Sequence, residues 1–448
     1  MSKNVIVIGS GAAGMTAASE AKKNDPSAKV IVITEDEHIA YSPCAIPWVI
    51  EGKMKWNEIV MHDPPFYSEK RDITVITKTK VTAVDSEKKT VTADKTYPYD
   101  SLVVATGGTV FIPPIKGVSL KGTFTVRTVN DAIAISASAR KKDKVAIIGA
   151  GVIGLEIALA LRKLNKDVTV VEMFEQVIPR IADKDMALMI QTYLESEGVK
   201  FVFGKGIESV DGTDRVEGIT AGGKKIPCEM VIFATGVRAN LEVPKMLGLD
   251  TGKLNAVVVS PTMQPYKGGV LVEDIFLAGD LVQSTSAVVD GPTMSQLGSS
   301  AVKQGIVAGK NAVGGNEKMA PTVTPWISSI GNMEIGGTGL SEGLAAWYGM
   351  KVVSATATGL TCARYYPGGK GMTVKLLADE SDGRIVGAQI VSGSDVNGRI
   401  NWLSFVIAEK MKVNEFLYAG ENAYCPPTSM VRDTIFDAAE ALSKKLSK

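Results

Sequence analysis

One pattern is written twice in this chain. "NVIVIGSGAAGMTAA" (4–18) and "KVAIIGAGVIGLEIA" (144–158) each set a short apolar run before Gly-x-Gly-x-x-Gly and a small-residue helix. Each continues to a second strand, "KVIVITE" ending at Glu35 and "DVTVVE" ending at Glu172. This is a βαβ dinucleotide fingerprint in duplicate, and it predicts two parallel sheets, each with a ligand at its strand ends. Gly9 and Gly149 allow the tight turn, and Gly11 and Gly151 let a pyrophosphate approach the backbone. Gly14 and Gly154 let the helix pack on the strand. The helix start offers free N–H groups and partial positive charge. Glu35 and Glu172 are the expected acceptors for ribose hydroxyls.

Two further echoes follow. "SLVVATGG" (101–108) and "MVIFATGV" (230–237) are apolar strands ending in Ala-Thr-Gly, which makes Thr106, Gly107 and Gly236 candidate cofactor contacts. "DIFLAGDL" (274–281) is a third such strand, ending at Gly279 and Asp280. Small residues at strand ends leave room for a ligand against the backbone. From about residue 322 the pattern changes to strands joined by turns, then helical patterns near 396–411 and 428–445. This predicts a third, α+β domain without a nucleotide motif.

Composition narrows the class. A net charge of +1 gives no nucleic-acid or acidic-membrane surface. No apolar run is long enough to span a bilayer. The N-terminal apolar run leads straight into the glycine motif and reads as a strand, not a signal peptide, so a reducing cytoplasm is the expected compartment. Cys44, Cys228, Cys362 and Cys425 are far apart and show no zinc-ligand spacing and no disulfide framework. With His38 and His62 the only histidines, neither a histidine metal site nor a Ser-His-Asp triad is expected.

These motifs resemble the two-dinucleotide flavoproteins, the pyridine nucleotide-disulfide oxidoreductases, over essentially the whole chain. The resemblance implies FAD at the first glycine motif and NADH or NADPH at the second, with Glu156 among the cofactor-binding residues. It implies that Asp280 contacts the flavin's ribityl chain. The implied fold is α/β, two Rossmann-like dinucleotide-binding domains plus a C-terminal α+β dimerisation domain. The limits are 1–115 with 246–321 for FAD, 116–245 for NAD(P)H and 322–448 for the interface of a homodimer.

Local motifs choose the branch. The position five after Cys44 is Val49, so a Cys-x4-Cys disulfide cannot form. "YSPCAIPWVIEG" resembles the single-cysteine branch: coenzyme A-disulfide reductases, persulfide or polysulfide reductases, NADH oxidases and peroxidases. "ARYYPGG" (363–369) and "NAYCPP" (422–427) resemble the coenzyme A-disulfide group. There, tyrosines of these stretches reach the partner's redox cysteine. Peroxidases and oxidases of the branch usually carry a histidine in the first glycine motif, and "GSGAAG" has none. The resemblance therefore implies that Cys44 is the redox thiol, with its partner sulfur coming from a small disulfide or persulfide substrate. Such a thiol needs a low pKa, expected here from a helix beginning at residues 45–50 with Pro47 in its first turn. The other reading of Cys44 is a buried structural cysteine.

Tyr365, Tyr366 and Tyr424 are candidate hydrogen-bond donors to the leaving thiolate, with interface packing as the other reading. Lys22 and Lys23 match basic positions that contact coenzyme A phosphates, or form a solvated helix end. Cys425 stands where the branch usually has alanine, and Cys362 precedes Tyr365 by three residues. Both are candidates to approach the partner's Cys44, or are simply small buried residues. Two other functions stay open: an NADH oxidase, and an electron-delivering flavoprotein that reduces a protein partner or metal ion.

Overall fold

The computed structural model describes residues 2–447. The first sheet is all parallel, in the order Ile275–Leu277, Ser101–Val104, Asn4–Ile8, Lys29–Ile33, Ile73–Ile76. Its central strands are buried on both faces, which is why they read as Val/Ile runs without alternation. The helix Ala12–Asn24 covers one face and packs against the helix Gly298–Ala312. A Cβ at Gly305 would stand 2.5 Å from the Ala13 carbonyl oxygen, and one at Gly309 would stand 2.3 Å from that of Ala17. Only glycine lets these two helices meet so closely.

The second sheet repeats the arrangement: Lys200–Val202, Asp167–Val171, Lys144–Ile148, Met230–Phe233, Thr123–Thr125, again all parallel. The segments that follow the two Ala-Thr-Gly strands join as an antiparallel ribbon, Gly108–Val110 with Val237–Ala239.

The C-terminal part is a five-stranded antiparallel sheet, in the order Trp326–Ile330, Met333–Gly339, Ile385–Ser392, Gly371–Asp379, Val352–Leu360. Helices Val396–Ala408, Val413–Ala419 and Thr434–Leu446 accompany it. The helix expected from residue 428 starts instead at Thr434, where the Asp433 carboxylate accepts from the Ile435 N–H and caps it. The short helix Val413–Ala419 was not expected.

A buried cation ties this part to the second nucleotide unit. Lys375 Nζ lies 3.1 Å from Asp183 Oδ2, 2.9 Å from Asp185 Oδ1 and 3.1 Å from Glu342 Oε1. Among the described residues no helix is long and apolar enough to cross a membrane.

Candidate functional site

The glycines behave as their spacing requires. Gly9 and Gly149 have φ of +106° and +107°, a left-handed region open to glycine. A Cβ on Gly14 would lie 2.0 Å from the Gly9 carbonyl oxygen, and one on Gly154 would lie 2.2 Å from that of Gly149. Gly11 and Gly151 face open space, leaving the backbone accessible at the start of each helix.

The acidic residues are not equivalent. The register pairs Ile8 with Ile33 and Ile148 with Val171, so the next residues, Thr34 and Glu172, correspond. Glu172 is buried; its Oε2 accepts from the Ala150 N–H at 2.8 Å and its Oε1 from the Phe174 N–H at 3.0 Å. In the first unit Thr34 accepts from the Ser10 hydroxyl at 3.1 Å. Glu35 lies one residue further, exposed at the rim of a cavity lined by Gly9, Thr34, Lys80, Thr106 and Asn240. Open backbone at Gly11, a carboxylate at the rim and a cavity at the strand ends fit the adenosine diphosphate portion of FAD. Thr106 lines this cavity, and Thr106 and Gly107 bond to Asn240 through the Thr106 hydroxyl and the Gly107 carbonyl. Gly236, with φ of +95°, begins the ribbon that returns from the second unit.

Asp280 follows Gly279 past the end of the strand Ile275–Leu277. Its Oδ2 lies 3.0 Å from Arg127 Nη2. The same Nη2 would be 3.1 Å from a Cβ on Gly107, so the guanidinium spans the groove between the Gly107 and Asp280 turns. Arg127 escaped the sequence reading, since it belongs to no motif. It directly precedes Thr128, whose capping box with Asp131 starts the helix Val129–Ala139. That adjacency is the one signal available in the sequence.

Cys44 sits in a 3-10 turn, Pro43–Ala45, just before the helix Ile46–Glu51, with Pro47 tolerated in its first turn. Ile46, Val49 and Ile50 of that helix are buried in the core of the second nucleotide unit. The thiol is exposed. Its pKa is nevertheless raised, first by desolvation from the protein crowded about it and then by Glu156; Asp280 adds to the rise and Arg127 opposes it. The expected low pKa is thus not met by the polypeptide alone. Desolvation by the surrounding chain and the Glu156 and Asp280 carboxylates set the direction of the shift. Burial pushes Glu156 up to about 7, against a hydrogen bond from Ser328 Oγ to its Oε1 at 2.6 Å. Among the charged groups, Glu156 raises the Cys44 thiol most.

The two tyrosine stretches meet. The Tyr365 and Tyr424 hydroxyls are 2.8 Å apart, and the Ala363 N–H donates to the Pro426 carbonyl at 3.0 Å. Tyr365, Tyr366 and Tyr424 are all exposed. Cys425 is exposed, whereas Cys362 is buried, with its Sγ 3.0 Å from where a Cβ on Gly369 would stand. Lys22 is not a free cation: its Nζ donates to the Ala28 carbonyl at 2.9 Å and pairs with Asp72 at 2.5 Å. Lys23 is exposed and paired only with Glu20. Both occupy the last turn of the helix that begins at the first glycine motif.

Residues 3–305 match the family model of the pyridine nucleotide-disulphide oxidoreductases, and residues 328–434 match that family's dimerisation domain. The chain belongs to this family. The oxidoreductase is 44% identical over 451 residues to an NADH oxidase of Methanocaldococcus jannaschii, covering 99% of each chain. It is 32% identical to an NAD(P)H coenzyme A polysulfide/persulfide reductase of Pyrococcus horikoshii, again over 99% of each. An NAD-dependent persulfide reductase structure from A. fulgidus superposes with a TM-score of 0.95 at 30% identity, covering 99% of this chain and 84% of that one. The oxidoreductase is an FAD-dependent enzyme that uses NAD(P)H, with two dinucleotide-binding folds and a dimerisation domain.

Proposed function

We propose that this oxidoreductase uses NAD(P)H to cleave sulfur–sulfur bonds in small coenzyme A-type disulfides, persulfides or polysulfides, with Cys44 as the exchanging sulfur. The observation that carries this reading is an exposed cysteine on a rigid turn, flanked by Glu156, Arg127 and Asp280, with Val49 where a second cysteine would pair with it. The reductase names borne by the Pyrococcus horikoshii and A. fulgidus relatives support it.

The Cys44 thiolate attacks one sulfur of the substrate RSSR′. A Cys44–S–SR′ bond forms, and RS⁻ leaves and takes a proton from a tyrosine hydroxyl. Two electrons and two protons then return Cys44 and the tyrosine to their starting states and free R′SH. The sum is NAD(P)H + H⁺ + RSSR′ → NAD(P)⁺ + RSH + R′SH. Bound FAD supplies the two-electron relay between the nicotinamide and this sulfur. Gly11 with the helix behind it, Glu35, Thr106 and Asp280 hold that cofactor; Gly151 and Glu172 hold the nicotinamide nucleotide. Tyr365 and Tyr424 are exposed, and in this reading the tyrosine that protonates RS⁻ is the partner's in a symmetric dimer.

The second reading is oxygen reduction, favoured by the oxidase name of the 44% identical relative. Cys44→Ser separates them. It should leave FAD binding and flavin reduction by NADH intact and abolish turnover with coenzyme A disulfide and polysulfide. Retention of most disulfide turnover, measured beside oxygen consumption, would refute the Cys44 mechanism.

A further inference from the structure

Gln304 lies in the middle of the helix Gly298–Ala312 and is 2% exposed. Its Oε1 accepts from the Gly279 N–H at 2.7 Å, and its Nε2 donates to Ser284 Oγ at 3.2 Å. One half of the side-chain amide thus holds the turn that carries Asp280, and the other holds the strand Val282–Thr285 that follows it. The other side of that turn is also fixed. Gly279 has φ of +98°, and a Cβ there would stand 3.2 Å from the Ala13 Cβ, in the helix of the first glycine motif. The same two helices are locked together next to Gln304 by Gly305. The Asp280 turn is therefore clamped between the glycine-motif helix and one buried amide.

We propose that Gln304 is a positioning residue for FAD: it holds the Gly279–Asp280 turn where the Asp280 carboxylate meets the cofactor. The inference rests on the reading of Asp280 as an FAD contact. A buried N–H that loses its acceptor shifts or stays unpaired, and either outcome displaces the next residue.

The test removes FAD from the purified protein and measures its rebinding by flavin fluorescence, with the flavin midpoint potential and the thermal midpoint of the FAD-free protein alongside. Gln304→Leu should weaken FAD binding about tenfold, the scale of one unsatisfied buried polar group. Gln304→Glu keeps the acceptor for Gly279, and the Ser284 hydroxyl turns to donate, so most of the affinity should return. Combined with Asp280→Ala, the effect of Gln304→Leu should be less than additive, because both act through one contact. Unchanged affinity in Gln304→Leu, or full additivity, overturns the proposal. So does a lowered FAD-free thermal midpoint with unchanged affinity and potential, which marks a packing role. Wild-type affinity in Asp280→Ala alone would instead overturn the reading of Asp280.

Discussion

The Arg127 guanidinium, from the second nucleotide unit, is held 3.0 Å from the Asp280 carboxylate of the first. Arg127 is also the cation that opposes the rise of the Cys44 thiol. Arg127→Met leaves Asp280 without its partner and removes positive charge from the region of the sulfur. The Cys44 titration should therefore move to higher pH, read from the pH dependence of alkylation by iodoacetamide. Arg127→Lys, which keeps the charge, should fall between. An unmoved alkylation midpoint in both variants would show that the guanidinium's charge does not reach the sulfur.

Glu156 gives a pH dependence of defined sign. Its pKa rises from an ordinary 4.5 to about 7 in the folded state. Between those values the native protein holds a proton that the unfolded chain has released. The contribution is full below about 4.5 and is lost as pH rises through about 7. Glu156→Gln should flatten the stability profile over that window and stabilise the protein by about 2 kcal/mol near pH 8, on the order set by linkage. Denaturant midpoints at a series of pH values check this. The same substitution removes a charge that raises Cys44, so alkylation should begin at lower pH.

Coenzyme choice follows from Glu172. Its buried carboxylate is fixed by the Ala150 and Phe174 N–H groups, and no arginine follows in "EMFEQ". A 2′-phosphate would meet this charge at close range, so NADH should exceed NADPH in kcat/KM by about tenfold or more. Glu172→Gln should narrow that ratio. Equal or reversed preference in the wild-type protein would contradict the assignment.

Shared sites can be counted by complementation. Mixing Cys44→Ser with Tyr424→Phe protein yields hybrid dimers with one intact composite site if the tyrosine is supplied in trans. Disulfide reductase activity should exceed that of either impaired parent once subunits exchange. No gain after demonstrated exchange would place Tyr424 outside the neighbouring site.

The duplicated fingerprint was legible because glycine spacing reports a backbone requirement directly: at Gly14 and Gly154 nothing larger fits. Glu35 shows the limit of counting residues. The sequence puts an acid at the end of each second strand, but only the register shows that Thr34 is the residue opposite Glu172. Arg127, Gln304 and Ser328 were illegible for a different reason. Each acts on a residue far away in sequence, Asp280, Gly279 and Glu156 respectively, and such pairings are created by the tertiary fold alone. The pairing of Lys22 with Asp72 is likewise invisible in a local window.

The helix that follows Cys44 is rooted in the core of the second nucleotide unit, although the chain reaches it from the first. Ser136 Oγ of the second unit lies 3.4 Å from the Val49 carbonyl oxygen. Cys44 is therefore part of a staple across the seam between the two nucleotide units, not a passenger on a surface loop. Swinging those units apart would drag the sulfur out of register with the Asp280 turn.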